Sequence, residues 1–458
     1  MTDNPGPAGS AAQAGGTGHA AAGAQRGGGA QDEVATLASD LIRIDTTNPG
    51  DHSGPGERRA AEHVAGLLAE VGLESTVLES HDKRASVVAR IAGEDSSRPA
   101  LLIHGHLDVV PADAADWQVH PFSGEFRDGC VWGRGAVDMK DMDAMVLAVV
   151  RQRMREGRRP PRDVVLAFLA DEEAGGTYGA RYLADSHPGL FEGVSEAISE
   201  VGGFSVTLSG RRLYLIQTAE KGMAWLRLSA RGTAGHGSML NGDNAVTELA
   251  AAVARIGRHE WPVRLTPAVR EFLAQAGLAL GTGFDEDDSR ELVSKLGPMA
   301  RMIGATLQNT ANPTMLNAGY KVNVVPQVAS AQVDGRFLPG HEDDFLAELD
   351  ELLGPSVRRE FAHHDIAVET TFDGDLVHAM NAATLAEDPD GTMVPYCLSG
   401  GTDAKSFSRL GIRCFGFAPL RLPAELDFSG MFHGVDERVP VDALQFGVRV
   451  LDRFLDIC

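Results

Sequence analysis

The residues of this chain best placed to do chemistry are histidines and carboxylates at the ends of apolar runs or beside glycines. In LLIHGHLDVVP, His106 and Asp108 stand two apart on a strand-like run, so their side chains leave the sheet on one side. A metal-binding imidazole commonly gives its second ring N–H to a carboxylate or carbonyl, and Asp108 is placed to orient His106 in that way. The same pair also fits an ordinary polar strand end, and His104 fits a packed position. GRGAVDMK sets Asp138 between a glycine-flanked turn and a helix, where it either projects into a cleft or caps the helix. LAFLADEEAGG crowds Asp171, Glu172 and Glu173 at a strand end, which costs energy unless a cation or a proton relieves it. Glu200, in AISEVGGF, again stands between an apolar run and glycines, and His433 follows far downstream in MFHGVDERVP. Singly each residue is ordinary. Jointly they make a set of imidazole and carboxylate donors that brackets an intervening segment.

The elements that must hold them follow two rhythms. From Asp32 onward, helical patterns at 34–44, 57–71 and 139–155 alternate with apolar, strand-like runs at 86–91, 100–106 and 164–169. Strands separated by helices predict an α/β fold whose mixed sheet is covered by helices. From Lys221 the order changes to strand 223–230, helix 244–256, strands 316–324 and 329–337, helix 342–353 and strand 366–372, the βαββαβ order of a ferredoxin-like domain. A helical insertion is expected over about 260–313. A strand at 414–418 and a helix at 441–456 then return to the first rhythm. The expected division is a disordered Gly/Ala-rich tail over 1–31, a first domain formed by 32–220 and 374–458, and a second domain over 221–373.

Composition excludes other classes. A formal net charge of −23 argues against a nucleic-acid or anionic-membrane partner, since both need basic surface. With 43% hydrophobic residues the chain has ample material for a core. Cys130, Cys397, Cys414 and Cys458 lie far apart with no CxxC, fitting neither a disulfide framework nor a zinc knuckle, so a reducing cytoplasm is expected. No run approaches the roughly 18 apolar residues of a membrane span, and residues 1–31 hold no signal-peptide core.

Taken in order, HGHLDVVP, GRGAVDMK, DEEAGG, the Glu200 segment, GTAGHGS, SGGTDA and FHGVDE resemble the M20 metallopeptidase family of aminoacylases, carboxypeptidases, desuccinylases and dipeptidases. The resemblance runs from Asp32 to Cys458. It implies a zinc-binding catalytic domain interrupted by a ferredoxin-like lid that also dimerises. It further implies that His106 and Glu200 hold one zinc ion, Glu173 and His433 a second, and Asp138 both, with cobalt or manganese as substitutes. Glu172 would be the general acid/base and Asp108 would steer His106. Arg336, in VDGRFLPG, would grip a substrate carboxylate, for which its planar fork is suited. Asn323 would stand near the substrate, and Gly400 and Gly401 would let backbone approach it. His236 would cross to the partner subunit of a homodimer and stabilise the oxyanion of the tetrahedral intermediate. The implied reaction is cleavage of an amide or peptide bond next to a free carboxylate, in an N-acyl amino acid, a dipeptide or the C-terminal residue of a peptide. An N-carbamoyl amidohydrolase or a desuccinylase on the same scaffold is the alternative task. A non-catalytic dimeric scaffold is the alternative class, and the presence of every expected ligand together with Glu172 argues against it.

Overall fold

A computed structural model describes residues 28–458. The expected tail lies mostly outside the described residues, and its last two positions, Ala30 and Gln31, already belong to helix Ala30–Ile42.

The larger sheet has ten strands. At its centre, Val164–Leu169, Ala100–His106, Val194–Ser199 and Arg413–Gly416 run parallel to their neighbours, and antiparallel strands extend it on both sides. Every residue of Ala100–His106 and Val164–Leu169 is buried. That is why these strands read as unbroken apolar runs: in a parallel sheet helices cover both faces. Helices Ala30–Ile42, Lys140–Glu156 and Val441–Ile457 pack against one another in the main core. The fold is thus the expected α/β arrangement of a mixed sheet covered by helices. Three of the parallel strands end at adjacent points, on His106, just before Asp171–Glu173, and just before Glu200. The carboxyl ends of such strands form a crevice where ligands bind.

Residues 222–365 hold the βαββαβ order. Four antiparallel strands, in the order Thr310–Ala318, Val328–Phe337, Gly222–Arg231 and Val357–Asp365, carry helices Ala245–Arg258 and Glu342–Leu353. Alternate burial along Gly222–Arg231 shows that one face of this sheet is packed. Two strands differ from expectation. The last is Val357–Asp365, because VRREFAHHD is an exposed edge with only its first residue buried and so carries little apolar signal. The apolar stretch expected there at 366–372 instead sends Val368–Glu369 to the larger sheet, against Ala219 and Glu220. The strand expected at 316–324 is Thr310–Ala318, whose Pro313 is tolerated because the strand lies at the sheet's edge.

Most of the insertion joins the main core, and only its ends, Trp261 and Ala311, belong to the core of the smaller domain. Its longest helix, Pro267–Leu280, opens with Thr266 accepting a hydrogen bond from the Val269 N–H at 3.3 Å and closes on Gly281 at φ 72°. Its buried Phe272, Leu273 and Ala276 belong to the main core, where the helix packs on strand Thr392–Leu398. Leu296, Met299 and Ile303, from the short segments that follow, belong to the same core. The fully buried Lys221 ties the end of the insertion to the junction between strands Arg211–Glu220 and Gly222–Arg231, its Nζ donating to the carbonyls of Ala305 at 3.0 Å and Gln308 at 2.8 Å and to Thr310 Oγ1 at 3.2 Å.

Candidate metal centre and substrate cleft

Asp138 organises the site. Helix Lys140–Glu156 has Met139 as its N-cap, so the Asp138 carboxylate is free to face inward. Its Oδ1 lies 3.0 Å from His106 Nε2, and its Oδ2 lies 3.2 Å from His433 Nε2. Glu200 approaches His106 Nε2 at 3.5 Å, while Glu173 approaches His433 Nε2 at 3.0 Å. Two groups of donors therefore share one carboxylate: His106, Asp138 and Glu200, and Asp138, Glu173 and His433, with the atoms of each group within 4.8 Å of one another. Glu172 belongs to neither group, but its carboxylate stands 3.9 Å from His106 Nε2.

Asp108 holds the surrounding loops. Its main-chain carbonyl lies 2.9 Å from His106 Nδ1, whereas its carboxylate is 3.6 Å from that nitrogen. A carbonyl can only accept, so the ring proton is on Nδ1 and Nε2 is left to face the acids. The carboxylate itself accepts from the main-chain N–H of Glu172 (Oδ1, 3.1 Å) and of Glu173 (Oδ2, 3.1 Å). One buried acid thus orients the imidazole through its backbone and both glutamates through its side chain. Asp171 turns away: Asn48 donates to it at 3.1 Å and the Tyr178 N–H at 2.9 Å. His104 packs on Phe407 with Nδ1 3.1 Å from Ser199 Oγ, and burial pushes its pKa down to about 3.

Charge in the site is unbalanced. Burial, followed by the facing Glu200, lifts the Glu172 carboxyl well above the usual range, and burial raises Glu200 to about 7. Hydrogen bonds that its imidazolium donates to Asp138 and Glu173 raise His433 to about 10. Burial opposes protonation of His106, yet Glu200, Asp108 and Asp138 together still lift it well above its ordinary value. Buried acids that outnumber their cations favour a positive ion among them, and an imidazole and carboxylate donor set suits zinc. The donors present fit a dinuclear metal centre. Asp171, Val201 and His433 all have left-handed backbone, at φ 68°, 52° and 57°, so strained positions cluster around this centre.

A cleft of about 760 Å³ opens over these groups, lined also by Arg336, Gly400 and Gly401. Arg336 pairs with Asp334 through Nε at 2.7 Å and Nη2 at 3.2 Å. A Cβ at Gly401 would stand 2.8 Å from Lys405 Nζ, the end of a flexible side chain, and Gly400 has looser surroundings. His236 and Asn323 do not line the cleft of their own chain. They sit together on an exposed two-stranded ribbon, where His236 pairs with Val324 and the Gly237 N–H donates to the Asn323 carbonyl at 2.9 Å.

Three residues of the site escaped the sequence reading. Asn48 donates to Asp108 at 2.8 Å, but in TTNPG it reads as a turn residue. Asp403 lines the cleft with Oδ2 buried and unpaired, and burial lifts its carboxyl well above the usual range. Glu437 receives the loop that carries Asp138. The last two lie inside SGGTDA and FHGVDE, and that position was the available signal.

Comparison with known proteins gives a consistent picture. Residues 102–457 match the profile of peptidase family M20/M25/M40. A probable succinyl-diaminopimelate desuccinylase of Staphylococcus epidermidis is 30% identical over 425 residues, covering 90% of this chain and 94% of that protein. The N-fatty-acyl-amino acid synthase/hydrolase PM20D1 of Homo sapiens is 29% identical over 381 residues, covering 79% and 74%. In fold, the M20 family metallo-carboxypeptidase Sso-CP2 from Sulfolobus solfataricus superposes with a TM-score of 0.70 at 18% identity, over 93% of this chain and 99% of that one. Among the described residues no helix is long and apolar enough to cross a membrane.

Proposed function

The chain belongs to peptidase family M20/M25/M40, an M20-type metallopeptidase or amidohydrolase, and on that premise we propose that it hydrolyses an amide bond next to a free carboxylate. The observation that carries this reading is Asp138, whose two oxygens face two different histidine and glutamate pairs while Glu172 stands beside them unshared. His106, Asp138 and Glu200 would hold one ion, and Asp138, Glu173 and His433 the other. Two zinc ions, or cobalt or manganese in their place, would polarise the scissile carbonyl and lower the pKa of water.

The chain's own residues do the rest. Glu172 takes the proton of the attacking water and delivers it to the leaving nitrogen, a shuttle served by a carboxyl that burial raises above the usual range. Asp108 keeps that carboxyl aimed by holding the Glu172 N–H. Arg336 takes the substrate carboxylate, exchanging its contact with Asp334 for one with the ligand. His236 and Asn323, turned away from their own cleft, serve the cleft of a second copy, so the active unit is a homodimer. Met239, Leu240, Tyr320 and Val322 stand exposed in the segments that form their ribbon, as apolar residues at an interface would. An N-acyl amino acid is the favoured substrate, because the names of both curated relatives describe one.

Arg336 provides the test. Removing a charge-assisted bidentate contact costs about 1.5 to 3 kcal/mol, read as kcat/KM on a panel of N-acyl amino acids and dipeptides. Amidating the carboxylate should cost wild type a similar amount and Arg336→Ala little more. Additive losses would contradict a direct contact.

A further inference from the structure

Charge is costly to bury, yet Lys221 is fully buried where the ten-stranded sheet passes into the four-stranded one. The three acceptors around its Nζ, the Ala305 and Gln308 carbonyls and Thr310 Oγ1, match the three protons of an ammonium. Two of them belong to the end of the insertion, and the third opens strand Thr310–Ala318. In the four-stranded sheet Arg336 has Thr310 as its partner on one side and Met223, two residues after Lys221, on the other. Both neighbours of the residue that would grip the carboxylate are thus fastened to Lys221, one through its side chain and one through its own strand. Lys221 itself does not line the cleft.

The main chain of Lys221 reaches the other way, into the larger domain. Its N–H donates to the Leu398 carbonyl at 3.0 Å, and its carbonyl accepts from Lys405 Nζ at 2.7 Å. The adjacent Glu220 accepts from Thr402 Oγ1 at 2.6 Å and from the Thr402 N–H at 3.1 Å. The turn that carries Gly400 and Gly401 along the cleft is therefore pinned at both ends to the same two residues. Strand Arg211–Glu220 continues the path to the metal centre: Gln217 pairs with Gly416, Gly416 with Ser199, and Glu200 follows. A Cβ at Gly416 would stand 2.4 Å from the Glu200 carbonyl and 2.7 Å from Gln217 Cβ, so only glycine lets the strands meet this closely. One hydrogen-bonded path thus runs from Arg336 through Lys221 to a proposed metal ligand.

We infer that Lys221 is a positioning residue: by fixing Arg336 relative to the metal centre it sets the span between the gripped carboxylate and the scissile carbonyl, and with it the preference for α-amino acid derivatives over their β isomers. This rests on the amide-hydrolase reading above, in which Arg336 takes the carboxylate, and adds to it what holds that grip in place. A β isomer inserts one more carbon, a bond of about 1.5 Å, between the amide nitrogen and the carboxylate. A misplacement of about 1 Å can cost 10²-fold in rate, so a rigid span separates the two isomers and a loosened one does not.

The experiment measures kcat and KM of the metal-loaded enzyme on N-acetylalanine, its isomer N-acetyl-β-alanine, and N-acetylalaninamide. Wild type should prefer the α isomer by about 10²-fold in kcat/KM. Lys221→Met keeps the bulk of the side chain and removes its donors. It should lose kcat/KM on N-acetylalanine and shrink the preference about tenfold, with little loss on the amide. Thr310→Val removes a single acceptor beside Arg336, should shift the preference the same way by less, and gives the answer if Lys221→Met fails to fold. In parallel, calorimetry on metal-loaded Glu172→Ala, with and without Lys221→Met, measures binding of the same three compounds without turnover. Equal kcat/KM on the two isomers in wild type, an unchanged preference in a folded variant, or equal loss on acid and amide would overturn the positioning role and leave the hydrolase reading standing. Tighter binding of the α isomer that Lys221→Met abolishes, without hydrolysis by wild type, would uphold the positioning role and overturn the hydrolase reading. If amidation costs neither turnover nor binding, or if none of the three compounds is hydrolysed or bound, both fall.

Discussion

Glu437 accepts a hydrogen bond from the main-chain N–H of Asp138 at 3.0 Å, although 299 residues separate the two in sequence. The same buried carboxylate accepts from the N–H groups of Val137 at 2.7 Å and Gly135 at 3.1 Å and from Arg134 Nη1 at 2.9 Å. Glu437 lies four residues after His433, so it joins the loop of one proposed ligand to the loop of another. Strand Arg438–Pro440, which follows at once, pairs with Cys130–Trp132 and extends the same attachment.

From this relationship Glu437→Gln should fold yet bind cobalt roughly 10- to 100-fold more weakly, as is usual when support behind a metal ligand is lost. Glu437→Ala, which leaves Arg134 charged and unpaired in the core, should lose about 3 to 5 kcal/mol of stability. Metal titration and chemical denaturation measure the two effects. Unchanged cobalt affinity in folded Glu437→Gln would show that the Asp138 loop keeps its shape without this carboxylate.

Glu172 and Glu173 are neighbours in sequence with different surroundings, and their alanine variants should differ in kind. Glu172→Ala should keep its metal and lose turnover by roughly 10²- to 10⁴-fold, the usual weight of general acid/base catalysis. Glu173→Ala should lose metal, because its carboxylate lies 3.0 Å from His433 Nε2. Metal content measured alongside kcat separates them, and exchanged phenotypes would reverse the assignment.

His236 should matter to a neighbouring active site. A donor aimed at developing negative charge is worth about 2.7 to 4 kcal/mol, so His236→Ala should be nearly inactive while folded and metal-loaded. Mixing it with inactive Glu172→Ala, under conditions that exchange subunits, should regenerate one competent site per mixed dimer. If exchange is demonstrated and no activity returns, His236 does not act across subunits.

The sequence was most informative where burial is complete and least where elements are exposed. His106, Glu172, Glu173 and Glu200 could be found because each ends or follows a strand of the buried central sheet, and such strands announce themselves as apolar runs. Strand Val357–Asp365 could not, since an exposed edge with mostly polar residues carries no period-two signal. The insertion is expected to be helical, but the sequence says little about it, and periodicity does not say which core a helix joins. Only the structure shows Phe272 and Leu273 in the main core and Pro298 and Met302 on the cleft wall. Glu437 was hidden for a related reason: an acid that serves main-chain N–H groups across the fold looks, in sequence, like any surface glutamate.

Metal content in wild type and Asp138→Ala tests most directly the claim that one carboxylate joins two metal sites. After loading with zinc and removal of the excess, elemental analysis should find two ions per chain in wild type. It should find clearly fewer in Asp138→Ala, with hydrolysis lost in proportion. One ion per chain in fully active wild type, or two ions retained in Asp138→Ala, would contradict the account.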